Sequence, residues 1–171
     1  MFRQFVLIQS IFRLALLTFL IGFMTALPGQ VGFAAPKPDP AAVFPVETLS
    51  IETSSGVFEF SVEIADDVDE RARGLMFRET MLPTHGMLFD FGENSVVNMW
   101  MKNTPLSLDM VFIKPDGKIA RVETNTKPFS LGIITSGEPV SHVLELRAGM
   151  ARQIGLKRGD FLNHRFFDAK D

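Results

Sequence analysis

The side chains best suited to bind a ligand are concentrated in residues 96–102, which contain the only tryptophan of the chain. The segment alternates like a β-strand, which predicts that one face carries Asn98, Trp100 and Lys102. An indole between an amide and an ammonium can stack on a sugar ring or a peptide aromatic while its polar neighbours fix the ligand's orientation. Together with residues that follow, the predicted ligand-binding set is Trp100, Lys102, Asn103 and Asp109.

The members of this set also have structural interpretations. Large apolar side chains are usually packed, so the interpretation that we favour is that Trp100 is buried under a loop predicted at residues 125–139. Asn103 stands where the strand ends, and bonding to neighbouring backbone groups is a sufficient role for it. The opposite face of the segment is predicted to pack in the core and carries Val97, Met99 and Met101.

Two carboxylates interrupt otherwise apolar strands, Asp109 between Leu108 and Met110 and Glu145 between Leu144 and Leu146. A charge on an apolar strand must be paired or exposed. The candidate partners are Arg73, Lys102 and Arg147. As an acid/base pair for hydrolysis, Asp109 and Glu145 would have to lie about 5–10 Å apart across one cleft. The alternative, which we favour, is a structural network that holds the strands in register.

Metal and nucleophile chemistry have weaker support. The three histidines, His85, His142 and His164, share no metal-ligand spacing. Met99 and Met101 could bind Cu(I), because soft thioethers select it, although methionines on a core face usually fill gaps. The sequence contains no cysteine, no G-x-S-x-G and no glycine-rich phosphate loop. These features predict no cofactor and favour a non-catalytic binding or envelope-accessory module over an enzyme.

The first 34 residues have the layout of a cleaved secretory leader. Arg3 and Arg13 precede an apolar run at residues 14–27, and small residues follow at Gly32 and Ala34. The run is shorter than the roughly 20 residues that a membrane-spanning helix needs. There is no twin-arginine pair, and the absence of cysteine excludes a lipoprotein. We therefore expect a Sec-type signal peptide over residues 1–34, a mature chain that begins at Ala35, and a periplasmic or secreted protein.

Composition limits the partners. Removal of 34 of the 171 residues leaves 137, about one domain, with 15 Lys and Arg against 20 Asp and Glu. This acidic balance, without basic stretches interleaved with aromatics, makes nucleic acid an unexpected partner. It also argues against adhesion to anionic lipid heads, so no stable membrane anchor is expected after cleavage. The predicted partner is a small molecule or glycan, and the oligomeric state is left open.

Patterning predicts a single β-rich domain over residues 46–167, after a flexible Pro- and Ala-rich spacer at 35–45. Alternation predicts a hairpin that turns at 54–56, and Asp67 with Glu70 predicts a capped helix that runs to about Phe77. Its apolar stripe would be Val68, Ala72, Leu75 and Met76. Further strands are expected near residues 86–91, 96–102, 108–114, 118–124, 140–147 and 160–167. The fold class is a mainly β sandwich or partly open barrel with one short α-helix.

Four motifs carry a family resemblance: RARGLMFR, HGMLFDF, MWMKNTPLSLDMVFI and VLELRAGMARQIGLKRGD, which begin at residues 71, 85, 99 and 143. In this order and spacing they resemble the bacterial and archaeal family called domain of unknown function 192. The resemblance covers roughly residues 47–165. It implies a small, mainly β domain of jelly-roll-like character, often exported, with no assigned activity. One departure concerns a turn, since Ser107 occupies the place where the family usually has proline, and Pro105 comes earlier.

Overall fold

The structure is a computed structural model that describes residues 43–167. The predicted leader and all but the end of the spacer lie outside these residues. The elements are β1 (Val46–Thr53), β2 (Gly56–Ala65), α1 (Val68–Arg73), β3 (His85–Ser95), β4 (Asn98–Met99), β5 (Leu108–Ile113), β6 (Ile119–Glu123), β7 (Ile134–Thr135), β8 (Val140–Arg147), α2 (Met150–Gln153) and β9 (Phe161–Asn163). No helix within residues 43–167 combines the length and the hydropathy needed to cross a bilayer.

Seven strands form one curled sheet in the order β6-β5-β8-β3-β2-β1-β9, and β4 pairs with β7 in a separate ribbon. Every pair in the large sheet is antiparallel except β2 with β3. The two edges of the sheet meet where Lys118 bridges to Phe161, and Leu162 N–H donates to the Gly117 carbonyl at 2.9 Å. The predicted mainly β, partly open barrel is therefore confirmed, with two short helices in the described chain where one was expected.

The predicted β1–β2 hairpin is confirmed and shows how alternation builds the core. Its register places Leu49 opposite Phe60 and Ile51 opposite Phe58. All seven strands contribute to an inner cluster inside the curl, which includes Leu49, Val62, Leu88, Val111, Ile119, Leu144 and Leu162. An outer cluster covers the other face of the sheet and includes Met87, Phe89, Met101, Met110, Phe112 and Val143. Strands β5 and β8 are central, so both of their faces are buried.

Helix α1 begins as predicted and ends earlier than predicted. Asp67 accepts the Glu70 N–H at 2.7 Å, and the Glu70 carboxylate accepts the Asp67 N–H, which completes the capping box. The helix stops at Arg73 because Gly74 adopts a φ of 47°. A Cβ at Gly74 would come within 3.1 Å of the Phe89 ring, so glycine also permits a close approach to the sheet. The predicted extension to Phe77 is wrong.

The apolar stripe predicted for this helix is also largely wrong. Val68 and Ala72 are exposed, and Met76 is half-buried. Only Leu75, which follows the helix, is buried in the outer cluster. None of the six helix residues is buried, and the turn after the helix makes the apolar contact with the sheet. The apolar periodicity of so short a helix therefore does not determine which residues are packed.

The predicted strand at residues 96–102 is mostly irregular, because only Asn98 and Met99 pair with β7. The alternation predicted most of the faces correctly: Val97 and Met101 are buried, and Asn98, Trp100 and Lys102 are exposed. Met99, which was expected in the core with Val97 and Met101, is only half-buried and lines a cleft with Trp100. The 125–139 loop runs beside this segment, and Met101 N–H donates to the Ser130 carbonyl at 3.0 Å. The loop does not seal the surface.

Asp109 acts as a buried anchor for three parts of the chain. Its side chain, on β5, accepts the Asn125 N–H and the Ala151 N–H, both at 2.9 Å. The first bond holds the chain after β6, and the second holds the start of α2. Buried backbone donors need such partners, so Asp109 fixes how these segments meet the sheet.

We predict that Asp109→Ala lowers the free energy of unfolding by about 2–5 kcal/mol, because two buried N–H groups lose their acceptor. Asp109→Asn keeps one acceptor oxygen and should cost less. Asp116→Ala is the control, because Asp116 accepts a backbone N–H in an exposed turn. Denaturant unfolding measures all three variants. An Asp109→Ala domain as stable as the Asp116→Ala domain would contradict this role.

Candidate functional site

A cleft of about 240 Å³ opens on the outer face of the sheet. One side is formed by the end of α1 and its turn, and the other by the segment that follows β4. Strands β3 and β8 supply the floor. The lining includes Arg73, Met76, Phe89, Asn98, Met99, Trp100, Lys102 and Glu145.

Trp100 and Lys102 form the mouth of this cleft. Trp100 is 46% exposed, so the interpretation that it is buried under the 125–139 loop is wrong. The Lys102 Nζ lies 5.0 Å from the centre of the indole ring, within cation–π range. The structure thus brings together two residues of the predicted ligand-binding set.

Glu145 lies in the floor and is 4% exposed. Its neighbours across the sheet are Met87 on β3 and Met110 on β5, both in the outer cluster. No residue between 43 and 167 gives its carboxyl a hydrogen bond or an ion pair, so the expected pairing with Arg73, Lys102 or Arg147 is absent there. Burial raises the pKa of Glu145 to about 8. The carboxyl is therefore mainly protonated at neutral pH and can donate a hydrogen bond into the cleft.

Asp109 and Glu145 do not form an acid/base pair. Asp109 is opposite Leu146 in the β5–β8 register, and Glu145 is opposite Met110. Because successive side chains on a strand point to opposite faces, the two carboxyls lie on opposite sides of the sheet. No second Asp or Glu lines the cleft in the described part of the chain. The hydrolase hypothesis built on this pair is not supported by the geometry.

Asn103 and Asp109, the other predicted ligand-binding residues, lie outside the lining of the cleft. Asn103 adopts a φ of 56°, its carbonyl accepts the Phe77 N–H at 2.8 Å, and its amide lies 3.8 Å from the Met76 sulfur. It therefore joins the two walls of the cleft. Asp109 is the structural anchor described above.

The wall contributed by α1 was not assigned from the sequence. The Arg71 guanidinium donates to the Asp90 carbonyl at 2.8 Å, which ties the end of the helix to the sheet. Arg73 lies at the cleft beside the Phe77 ring, 5.9 Å from its centre. Gly74 was the available signal, since a glycine inside a predicted helix indicates a break or a close approach.

A serine, a histidine and an aspartate also lie close together at the start of β8. The Ser141 Oγ lies 2.7 Å from His142 Nδ1, and His142 Nε2 lies 3.3 Å from Asp90 Oδ1. Burial lowers the pKa of His142, which favours the neutral ring. Ser141 is 6% exposed, and Phe166 and Phe167 pack against the imidazole. This arrangement is part of the core and does not form an accessible nucleophile.

The methionine alternative remains a prediction. Met101 is completely buried in the outer cluster, whereas Met99 is half-buried and lines the cleft with Met76. Among residues 43–167, no three His, Asp or Glu side chains converge to hold a metal ion. Core packing is sufficient to account for Met101.

The DUF192 family model, described as "Uncharacterized ACR", matches residues 50–164. A crystal structure from Sinorhizobium meliloti 1021, described as a candidate transcription regulator, is 48% identical, with a TM-score of 0.70. The match covers 71% of this chain and 95% of that one. A protein of unknown function from Novosphingobium aromaticivorans is 30% identical, with a TM-score of 0.71, over 77% of this chain and 94% of its own. No curated protein matches the chain.

We predict that Glu145 makes folding stability fall as pH rises. Its pKa is about 8 in the folded protein and ordinarily 4.5, so between these values the folded state binds a proton that the unfolded state does not. The free energy of unfolding should therefore decrease by about 1.4 kcal/mol per pH unit through that window. Glu145→Gln cannot titrate and should lack this decrease.

Urea unfolding of wild type and Glu145→Gln from pH 5 to pH 9 measures the difference, which cancels the titration of other groups. Glu59→Gln, at an exposed position on β2, is the matched control. A wild-type and a Glu145→Gln curve that run parallel would show that Glu145 is ionised in the folded state.

Proposed function

The chain belongs to the DUF192 family, and we propose that this domain is a binding module that holds one sugar ring, or a ring of similar size and polarity, in the Trp100 cleft. The observation that carries the proposal is that a half-exposed indole lines the same cleft as a buried carboxyl that has no partner among residues 43–167. The apolar indole is complementary to the C–H face of a pyranose, and the Glu145 carboxyl is complementary to the hydroxyl groups of the sugar.

The indole supplies the apolar contact. The C–H face of a sugar ring stacks on an aromatic face, which removes both from water at little cost in conformational entropy. The half-buried thioether of Met99, also in the lining, extends this apolar surface.

Polar groups supply the orientation. A protonated Glu145 offers one donor and one acceptor, and a ligand hydroxyl would satisfy both. A buried carboxyl without a partner costs about 1–3 kcal/mol, and a bound ligand would recover that energy. Lys102 and Asn98, both exposed and in the lining, can bond hydroxyls at the mouth.

The size of the cleft limits the ligand. A volume of about 240 Å³ lies just below the range of sites for drug-sized molecules, roughly 300–1,000 Å³, so it suits a single ring. Among residues 43–167, Glu145 is the one carboxyl in the lining, which favours binding over glycoside hydrolysis, since hydrolysis needs two carboxylates that flank the bond.

The proposed location is outside the cytoplasm, where envelope glycans are available. The sequence of residues 1–34 supports export, with its basic start, apolar run and small residues before Ala35. Expression of the full chain in a bacterial host, followed by intact-mass measurement, should give a protein that starts at Ala35 in the periplasm or medium. A cytoplasmic protein with all 171 residues would contradict export.

We predict that a sugar which fills the cleft changes the emission of Trp100, the only tryptophan in the chain. Methyl glycosides of neutral hexoses, uronic acids and N-acetylhexosamines form the panel. At least one should give a saturable change and should protect the indole from acrylamide quenching. If no sugar changes the emission or the quenching, the glycan proposal fails.

Titration calorimetry of variants with a sugar that binds should show whether the sugar occupies the Trp100 cleft. Trp100→Ala should weaken binding at least tenfold, because the stacking surface is lost. Phe161→Ala is the matched control, since Phe161 is an exposed aromatic that also lies beneath a lysine, with the Lys118 Nζ 5.8 Å away. Equal affinity in the two variants would place the ligand elsewhere.

A further inference from the structure

A second depression, which we call the basic groove, lies between β6, the residues after β7, and the segment from α2 to β9. Its volume is about 740 Å³, and its charged lining consists of Arg121, Glu138, Arg152, Lys157 and Arg158. None of its lining residues also lines the Trp100 cleft. We propose that the basic groove binds a small organic anion that carries two or more phosphate or sulfate groups.

The groove is positive on an acidic domain. Residues 43–167 contain 13 Lys and Arg against 17 Asp and Glu. The groove lining has four cations and one carboxylate, so the rest of the described chain has 9 cations and 16 acids. Surface potential of one sign in a concave site raises the local concentration of ions of opposite sign.

Two of the four cations, Arg121 and Arg158, form ion pairs with glutamates and donate hydrogen bonds to backbone carbonyls. Arg121 pairs with Glu123 and also donates to the Thr135 carbonyl. Arg158 lies 2.7 Å from Glu138 and donates to the Ala120 carbonyl at 2.9 Å. These backbone bonds hold the two guanidinium groups in place in the groove lining, and each group keeps further N–H donors for a ligand.

The remaining cations, Arg152 and Lys157, are the free charges of the groove. Both are exposed, and neither forms an ion pair with another residue of the described range 43–167. Glu138 in the lining is shared between Arg158 and Lys114, whose Nζ lies 2.9 Å from it. Hydrogen bonding to Lys114 lowers the pKa of Glu138, so this carboxylate stays ionised and a ligand must avoid it.

The chemistry of these groups favours phosphate or sulfate. A guanidinium presents a planar fork that binds two oxygens of a tetrahedral anion, and a lysine adds a point charge. The volume is within the range of small-molecule sites, and it is larger than one inorganic anion needs. Ala120, Ala151 and Leu156 form a small apolar floor that can accommodate the organic part.

The test is calorimetric titration of the domain with inorganic pyrophosphate at low ionic strength. Wild type should bind saturably, and the Arg152→Ala/Lys157→Ala double variant should bind at least tenfold more weakly. Lys127→Ala/Arg147→Ala is the matched control, because it removes the same charge from exposed residues outside the groove. Arg152→Lys/Lys157→Arg, which keeps the charge, should retain most of the affinity. Unfolding curves confirm that each variant is folded.

Three outcomes overturn the proposal. The first is equal weakening in the two alanine double variants, which would indicate nonspecific attraction. The second is the absence of saturable binding at millimolar pyrophosphate. The third is binding of duplex DNA that depends on Arg152 and Lys157 and is not displaced by pyrophosphate, since the groove would then serve a polymer. The Trp100 fluorescence should not respond to pyrophosphate, so the groove and the cleft are tested independently.

Discussion

Burial of both faces of β8 is the constraint on which the cleft depends. This strand lies between β3 and β5, and its side chains enter the inner and outer clusters alternately. A carboxyl at position 145 therefore lies among methionine and phenylalanine side chains, where the charged form is costly. Glu145 therefore stays mainly protonated at neutral pH, and it lines the cleft.

Asp109 and Glu145 show how one sequence pattern leads to two physical outcomes. Each is a carboxylate between apolar residues on a central strand. The Asp109 carboxylate lies next to two backbone N–H groups that need an acceptor, and it accepts a hydrogen bond from each of them. Glu145 lies between Met87 and Met110 of the outer cluster and lines the cleft, and burial there raises its pKa. The two carboxyls differ because they lie on opposite faces of the sheet and because the partners of Asp109 come from distant parts of the chain.

Local rules predicted the parts of the fold that local interactions determine. The β1–β2 hairpin follows from alternation, and the start of α1 follows from the Asp67 capping box. Alternation placed Trp100 on the same face as Asn98 and Lys102, but the general tendency of large apolar side chains to be packed favoured burial, and that expectation was wrong. The end of α1 was missed because Gly74 turns the chain against Phe89, a contact between distant residues. The α1 wall of the cleft and the basic groove were missed for the same reason, since each brings together segments that are far apart in the chain.

The protonation state of Glu145 tests the proposed chemistry of the cleft most directly, because a neutral buried carboxyl can donate a hydrogen bond to a ligand and an ionised one cannot. Selective ¹³C labelling of glutamate, with Glu145→Gln to assign the resonance, allows the carboxyl carbon of Glu145 to be followed by NMR from pH 4 to pH 10. We expect a midpoint near 8, with the acid form dominant at pH 7. A midpoint near 4.5, the ordinary value for glutamate, would contradict it.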